Sequence, residues 1–247
     1  METFGIIIQA RVSSSRMPGK VLAQVTETDT ILDVIYHRLD CLKIPIIFAI
    51  PDSLDNDQLS EYLQKRGYAT YRGSEENVLK RMEEAGQQYQ LDYIVRVCSD
   101  NLFIQAPLIA NMIDATRTEP VDYTSYYLDN DTPTILTHFG FFAEIVKRTA
   151  LQKVLRNTDE KVYLEHVTNY IYQNPHLFHI KKLSLPPYVN QWDQKIRLTI
   201  DTPEDFAIAK AIYPVVEAYD MVAIIHYLAS HEMYGASMVQ RINQYKK

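Results

Sequence analysis

Three consecutive isoleucines, Ile6 to Ile8, sit at the start of the chain and end abruptly in a polar, cationic loop, Gln9-Ala10-Arg11-Val12-Ser13-Ser14-Ser15-Arg16-Met17-Pro18-Gly19-Lys20. An unbroken β-branched apolar run predicts a strand buried on both faces, as in the first strand of a parallel sheet. Within the loop, Arg11, Arg16 and Lys20 supply cations, Ser13 to Ser15 supply hydroxyls, and Pro18-Gly19 favours a tight turn that exposes backbone N–H groups. Such a loop suits a polyphosphate, or it is a solvated connection from strand to helix. It is neither a Walker loop nor a dinucleotide fingerprint, because both glycine spacings are absent.

The 247 residues, 47% of them hydrophobic, can bury a large core as one domain. A net charge of −6 argues against general binding to nucleic acid or anionic membrane, so the basic loop is a local feature suited to a small anion. No apolar run approaches the roughly 20 residues of a membrane span, and no signal-peptide pattern precedes the first strand, so a soluble cytoplasmic protein is expected. Cys41 and Cys98 are too isolated for a disulfide framework or zinc site and are expected in the core.

Apolar strands and amphipathic helices then alternate. Thr28 to Thr30 offer helix caps before Ile31, Leu32, Ile35 and Leu39. A strand is predicted over 44–50, a helix over 56–66, a short strand over 68–71 and a helix capped by Ser74. The polar stretch Asp52 to Asp57 either reaches a ligand at the sheet's C-terminal edge or serves as turn and cap. A buried strand over 93–98 delivers Asp100 to that same edge, where a carboxylate could hold Mg²⁺ or cap a helix. Further helices are expected over 107–116 and 143–156, a strand from 122, and one continuous amphipathic helix over 163–175. A strand over 195–200 runs into Asp201-Thr202-Pro203-Glu204, a strong helix start, with helices near 203–213 and 219–230 and a frayed tail, 245–247. His138, set among Phe139, Phe141 and Phe142, is either a general base or a packed histidine.

The run Ala10-Arg11-x-x-Ser14-x-Arg16-x-Pro18-Gly19-Lys20 resembles the signature loop of the sugar-activating cytidylyltransferases, the family of CMP-Kdo and CMP-acylneuraminate synthetases. Arg72-Gly73-Ser74-Glu75-Glu76-Asn77-Val78-Leu79, Glu165-His166-Val167-Thr168 and Asp201-Thr202-Pro203-Glu204-Asp205 are similar to segments of its spore coat polysaccharide biosynthesis protein F branch. The resemblance implies a single nucleotidyltransferase domain over 1–247: a three-layer α/β/α fold with a mostly parallel, Rossmann-like sheet of the nucleotide-diphospho-sugar transferase type. It further implies that Gln9, Ala10, Arg11, Ser14, Arg16, Gly19 and Lys20 bind CTP, with Arg72 and Ser74 near base or ribose. Asp100 and Asp201 would hold Mg²⁺, and Arg11, Lys20, Asp100 and Asp201 would carry the catalysis. His138, Glu165 and His166 are candidates for a sugar or sugar-acid acceptor, and a homodimer would be typical.

Two stretches depart from the family pattern. Ser99 and Leu102 flank Asp100 and Asn101 where a glycine or alanine and a proline-leucine pair are usual, and Ile135 to Phe142 replace a Gly-Leu-Asp-x-Glu segment that faces the acceptor. These departures imply a different acceptor or an impaired acceptor site. A glycosyltransferase on the same sheet, and a nucleotide-binding protein without turnover, are the alternatives.

Overall fold

The computed structural model describes residues 2–245. Strands β1 (Phe4–Gln9), β2 (Ile46–Pro51), β3 (Ala69–Gly73), β4 (Tyr93–Cys98), β5 (Tyr123–Tyr127), β6 (Glu144–Lys147) and β7 (Ile180–Ser184) form one sheet in the order β3-β2-β1-β4-β6-β5-β7. Neighbouring strands are parallel except that β6 runs antiparallel to both β4 and β5. The isoleucine run divides as a doubly covered strand must. Ile6 and Ile8 join Phe48, Val95 and helix α1 (Ile31–Leu39) on one face; Ile7 joins Ile47, Ile94 and the far layer on the other.

Helix α2 (Asp57–Lys65) connects β2 to β3, and α3 (Val78–Gln88) connects β3 to β4. Helix α4 (Ala106–Arg117) follows β4, and α5 (Arg148–Asn157) follows β6. The short helices α6 (Lys161–Glu165), α7 (Asn169–Gln173) and α8 (Pro187–Asn190) lead to α9 (Pro203–Val216), α10 (Met221–Ala229) and α11 (Glu232–Gln244). The Ile7 face is covered by α3, α5 and α7, and the Ile6 face by α1, α4, α9 and α10, which completes three layers around one domain. Among the described residues no helix is long and apolar enough to cross a membrane.

Several local expectations are corrected. The predicted helix over 143–156 begins with a strand, because Glu144-Ile145-Val146 pairs with β4 and β5 before α5 starts at Arg148. The predicted helix over 163–175 breaks between Glu165 and Asn169, where His166 leaves helical geometry and the Thr168 hydroxyl turns inward to donate to Glu144. The 195–200 segment is extended but joins no strand. Its amides from Leu198 and Thr199 donate to the His138 carbonyl, and that of Ile200 donates to the Asp100 carbonyl. Asn77, not Ser74, caps α3 through its Oδ1; Cys41 is exposed and Cys98 half-buried. Strand β7 and helix α11 were not anticipated, and Tyr245 at the end of α11 lies 5.3 Å from the Arg16 guanidinium. Of the tail expected to fray, Lys246 and Lys247 lie outside the described residues.

The buried loop 138–142 is held against the 195–200 segment through Gly140. This glycine has φ +72°, and a Cβ there would stand 2.9 Å from the Leu198 carbonyl carbon. Backbone cannot yield as a side chain can, so Gly140→Ala is expected to lower stability by about 1–3 kcal/mol. A thermal melt reads this directly: at about 2–4 °C per kcal/mol for a chain of this size, an unchanged midpoint would contradict the close approach.

Candidate functional site

At the C-terminal end of β1 and β4, where ligands bind open α/β sheets, lies a cavity of about 300 Å³. Gln9, Ala10, Arg11, Ser14, Arg16 and Lys20 line it from the first loop, Ser99 and Asp100 from beyond β4, and Asp201 from the start of α9. Glu165 and His166, at the break between α6 and α7, complete one rim. Residues 11, 100 and 201 are thus brought to one cavity from three distant parts of the chain.

The loop is shaped locally. Gly19, at φ +68°, turns the chain so that its N–H reaches the Val12 carbonyl at 2.9 Å; the Ser14 amide donates to the same oxygen. Gly19 therefore sets the loop's path and does not line the cavity. Asn56 Oδ1 accepts from the Val12 N–H at 3.0 Å, so the polar stretch after β2 anchors the loop. Arg72 pairs with Asp57 at 2.6 Å, and together with Ser74 it lines a separate, open depression beside the cavity.

Asp201 is the electrostatic centre of one wall. Its Oδ1 meets Arg16 at 3.0 Å and Lys20 at 3.9 Å, and its Oδ2 meets the fully buried Arg197 at 2.9 Å. Capping of α9 does not occupy Asp201, because Thr202 is the N-cap and forms a capping box with Asp205. Asp100 differs: its Oδ1 is buried with no hydrogen-bond partner among the described residues. The Ile200 N–H to Asp100 carbonyl bond, 3.0 Å, ties the two aspartate segments side by side.

Magnesium, which the resemblance implies, is typically held by one or two carboxylates together with water and phosphate oxygens. The residues fit that requirement. Asp100 presents an unsatisfied buried carboxylate oxygen and Asp201 a second carboxylate on the same cavity, while no three His, Cys, Asp or Glu side chains among the described residues converge into an all-protein cage.

His138 does not line this cavity. It is 5% exposed, and its Nδ1 accepts from Arg197 Nη1 at 2.6 Å, as a packed histidine would. Arg197 also donates to Asp205, as does Arg241. Burial alone would raise the Asp205 pKa; hydrogen bonds from Arg197 and Arg241 outweigh it and hold the carboxyl at about 2. The stabilisation from Asp205 is therefore complete above its ordinary pKa near 3.8 and lost as pH falls toward 2, amounting to at most about 2 kcal/mol. Urea titrations between pH 5 and 2 should show this loss, and Asp205→Asn should flatten the acid limb; an identical limb in the variant would contradict the assignment.

Sequence reasoning missed two charged cavity residues, Arg81 on α3 and Arg96 on β4. A signal existed for Arg96, an arginine within an otherwise apolar, buried strand, whereas Arg81 shares its helix with Lys80, Glu83 and Glu84 and does not stand out. Arg96 is held by Glu144, which also accepts from Tyr123 Oη and Thr168 Oγ1, and its Nε donates to Gln9 Oε1 at 3.1 Å. Gln9 is thereby positioned at the cavity by a buried charge network.

A seven-stranded, mostly parallel mixed sheet of this order with helices on both faces is a nucleotide-diphospho-sugar transferase-like fold. The sequence matches the Cytidylyltransferase family over residues 5–232, and the chain belongs to that family, whose members are nucleotidyltransferases. It is 32% identical over 233 residues to the spore coat polysaccharide biosynthesis protein SpsF of Bacillus subtilis, covering 89% of this chain and 92% of that protein. An uncharacterised protein of Methanocaldococcus jannaschii is 36% identical over 204 residues, 82% of this chain and 79% of its own length. In structure the chain is similar to a cytidylyltransferase from Leptospira borgpetersenii, with a TM-score of 0.82 at 23% identity over 95% of this chain and 97% of that one. It is also similar to a CMP:2-keto-3-deoxy-manno-octonic acid synthetase complexed with CTP, with a TM-score of 0.64 at 13% identity over 86% and 99%. These two likenesses concern the fold.

Proposed function

We propose that this cavity binds CTP and transfers its cytidylyl group to an oxygen of a sugar or sugar acid, releasing pyrophosphate, in surface polysaccharide biosynthesis. The observation that carries this reading is the meeting of Arg11, Arg16 and Lys20 with Asp100 and Asp201 on one cavity of about 300 Å³. Attack at the α-phosphorus builds negative charge on nonbridging and leaving oxygens, so positioning and electrostatic stabilisation supply most of the rate. Arginine's planar fork suits bidentate phosphate contact, and Lys20 adds a compact positive charge.

In the structure Arg16 and Lys20 rest on Asp201, and Arg11 rests 3.7 Å from Glu165. An entering triphosphate offers these three cations stronger partners and draws them off the carboxylates. Asp201 is then relieved of two of its cations and, with Asp100, is the pair that would hold Mg²⁺. When bound there, such a metal would supply charge neutralisation and acceptor activation. No protein nucleophile is required, and His138 serves by fixing Arg197 rather than by moving a proton.

Calorimetric titration with CTP, ATP, GTP and UTP, with and without Mg²⁺, tests the reading, followed by a pyrophosphate-release assay across sugars and sugar acids. CTP-selective, magnesium-enhanced binding with pyrophosphate release is expected. Release of a nucleoside diphosphate from a nucleotide sugar would mean a glycosyltransferase instead, and binding of no triphosphate would sink nucleotidyl transfer altogether.

A further inference from the structure

We infer that Arg81, together with Arg11, forms a second anion-binding subsite on the α3 wall of the cavity, distinct from the Arg16–Lys20–Asp201 cluster on the other wall. The inference rests on the nucleotidyl-transfer reading and adds to it a substrate oxyanion held by a residue that neither the loop nor the metal pair includes. The two walls belong to different layers. Val21 and Ile200, beside Lys20 and Asp201, pack into the core on the Ile6 face, whereas Val78, Leu79 and Met82 of α3 pack into the core on the Ile7 face.

Arg81 is 2% exposed, yet no carboxylate lies within ion-pair distance of it among the described residues. Its Nη1 donates to the Ser74 carbonyl, while its Nε is buried without a hydrogen-bond partner among the described residues. Every other fully buried arginine in this region is matched: Arg96 by Glu144, and Arg197 by Asp201 and Asp205. Arg81 instead lines the cavity near Arg11, a second cation. Burial, then repulsion from Arg11, pulls the Arg81 guanidinium down to about 10 against a weaker pull upward from Glu75 and Asp52. A buried cation left facing a like charge across a cavity is costly for a folded protein, and an anion placed between the two removes that cost. Space for the side chain is provided by Gly73, where a Cβ would approach Arg81 Cγ to 3.2 Å.

The anion is a phosphate or carboxylate oxygen, and it has two possible sources: the far end of the triphosphate, or the carboxylate of a sugar-acid acceptor. Titration of wild type, Arg81→Lys and Arg81→Met with CTP, with inorganic pyrophosphate, and with 2-keto-3-deoxy-manno-octonate at saturating CTP separates them. Loss of a charge-assisted contact predicts at least about tenfold weaker binding in Arg81→Met and a smaller loss, about threefold, in Arg81→Lys, which keeps the charge without the fork. Weakening toward CTP and pyrophosphate assigns the subsite to the triphosphate. Weakening confined to the sugar acid assigns it to the acceptor. Should Arg81→Met fail to fold, Arg81→Lys carries the test through its binding loss at an unchanged melting temperature. Affinities within twofold of wild type for all three probes would overturn the subsite and leave cytidylyl transfer standing. A wild type that binds neither CTP nor pyrophosphate would overturn both.

Discussion

Asp100→Asn is expected to fold, to melt at or above the wild-type temperature, and to lose on the order of a thousandfold in pyrophosphate release. The two halves of this result have one cause. Asp100 Oδ1 is buried with no hydrogen-bond partner among the described residues, so in the free protein one oxygen of the carboxylate is desolvated without compensation. A neutral amide of the same shape leaves a polar atom at that position but removes the charge, whose desolvation is the larger part of the cost. The same substitution removes a hard anionic oxygen from the pair proposed to hold magnesium, where several kcal/mol of charge stabilisation are at stake, and each 1.36 kcal/mol is about tenfold in rate. Stability and activity therefore move in opposite directions, as at sites kept strained for function. Thermal melts and a pyrophosphate assay on one preparation measure both; wild-type turnover in Asp100→Asn would remove Asp100 from the chemistry.

Glu144→Ala is expected to have the largest effect on stability. Glu144 is fully buried on β6 and accepts from Arg96, Tyr123 and Thr168, side chains of β4, β5 and the α6–α7 break. Burial disfavours the Arg96 charge, but Cys98 and Glu144 beside it more than compensate, and the guanidinium pKa is raised. Truncation leaves that guanidinium buried and unpaired, a loss of about 3–5 kcal/mol, which is a large part of the 5–15 kcal/mol typical of a whole domain. The melting temperature should fall by roughly 10 °C. Because Arg96 also orients Gln9 at the cavity, nucleotide affinity should weaken in any folded fraction. A melting temperature within about 2 °C of wild type would show that β4, β5 and β6 are held together without this charge.

The two variants probe features of unequal legibility. Asp100 stood out because an apolar strand, Tyr93 to Cys98, ended in a polar tip, a pattern confined to a few adjacent residues. Glu144 did not. It begins a four-residue strand followed at once by α5, so the apolar spacing of Ile145, Val146 and Leu151 satisfied a helical period as well as a strand followed by a helix. The continuous helix expected over 163–175 failed for the same network, since the Thr168 hydroxyl is drawn to Glu144 and a broken helix is the cost of that bond. The 195–200 segment alternated charged and apolar residues like an edge strand, yet all of Ile196 to Ile200 is buried, because Arg197 finds Asp201, Asp205 and His138 inside.

What could be read from local chemistry was the set of elements whose partners are close in sequence: the doubly buried β1, the turn at Gly19, the helix caps around Thr30 and Thr202, and the polar tips that carry Arg11, Asp100 and Asp201. The antiparallel insertion of β6, the pairing of Arg96 with Glu144, the stacking of Tyr245 beside Arg16 and the lack of a carboxylate beside Arg81 among the described residues were settled by the assembled chain. Hydrogen-bond periodicity and turn geometry act over a few residues, so they leave a mark in sequence. Whether a buried charge meets a counter-charge depends on side chains 48 residues apart, as for Arg96 and Glu144, and is fixed when the sheet closes around them.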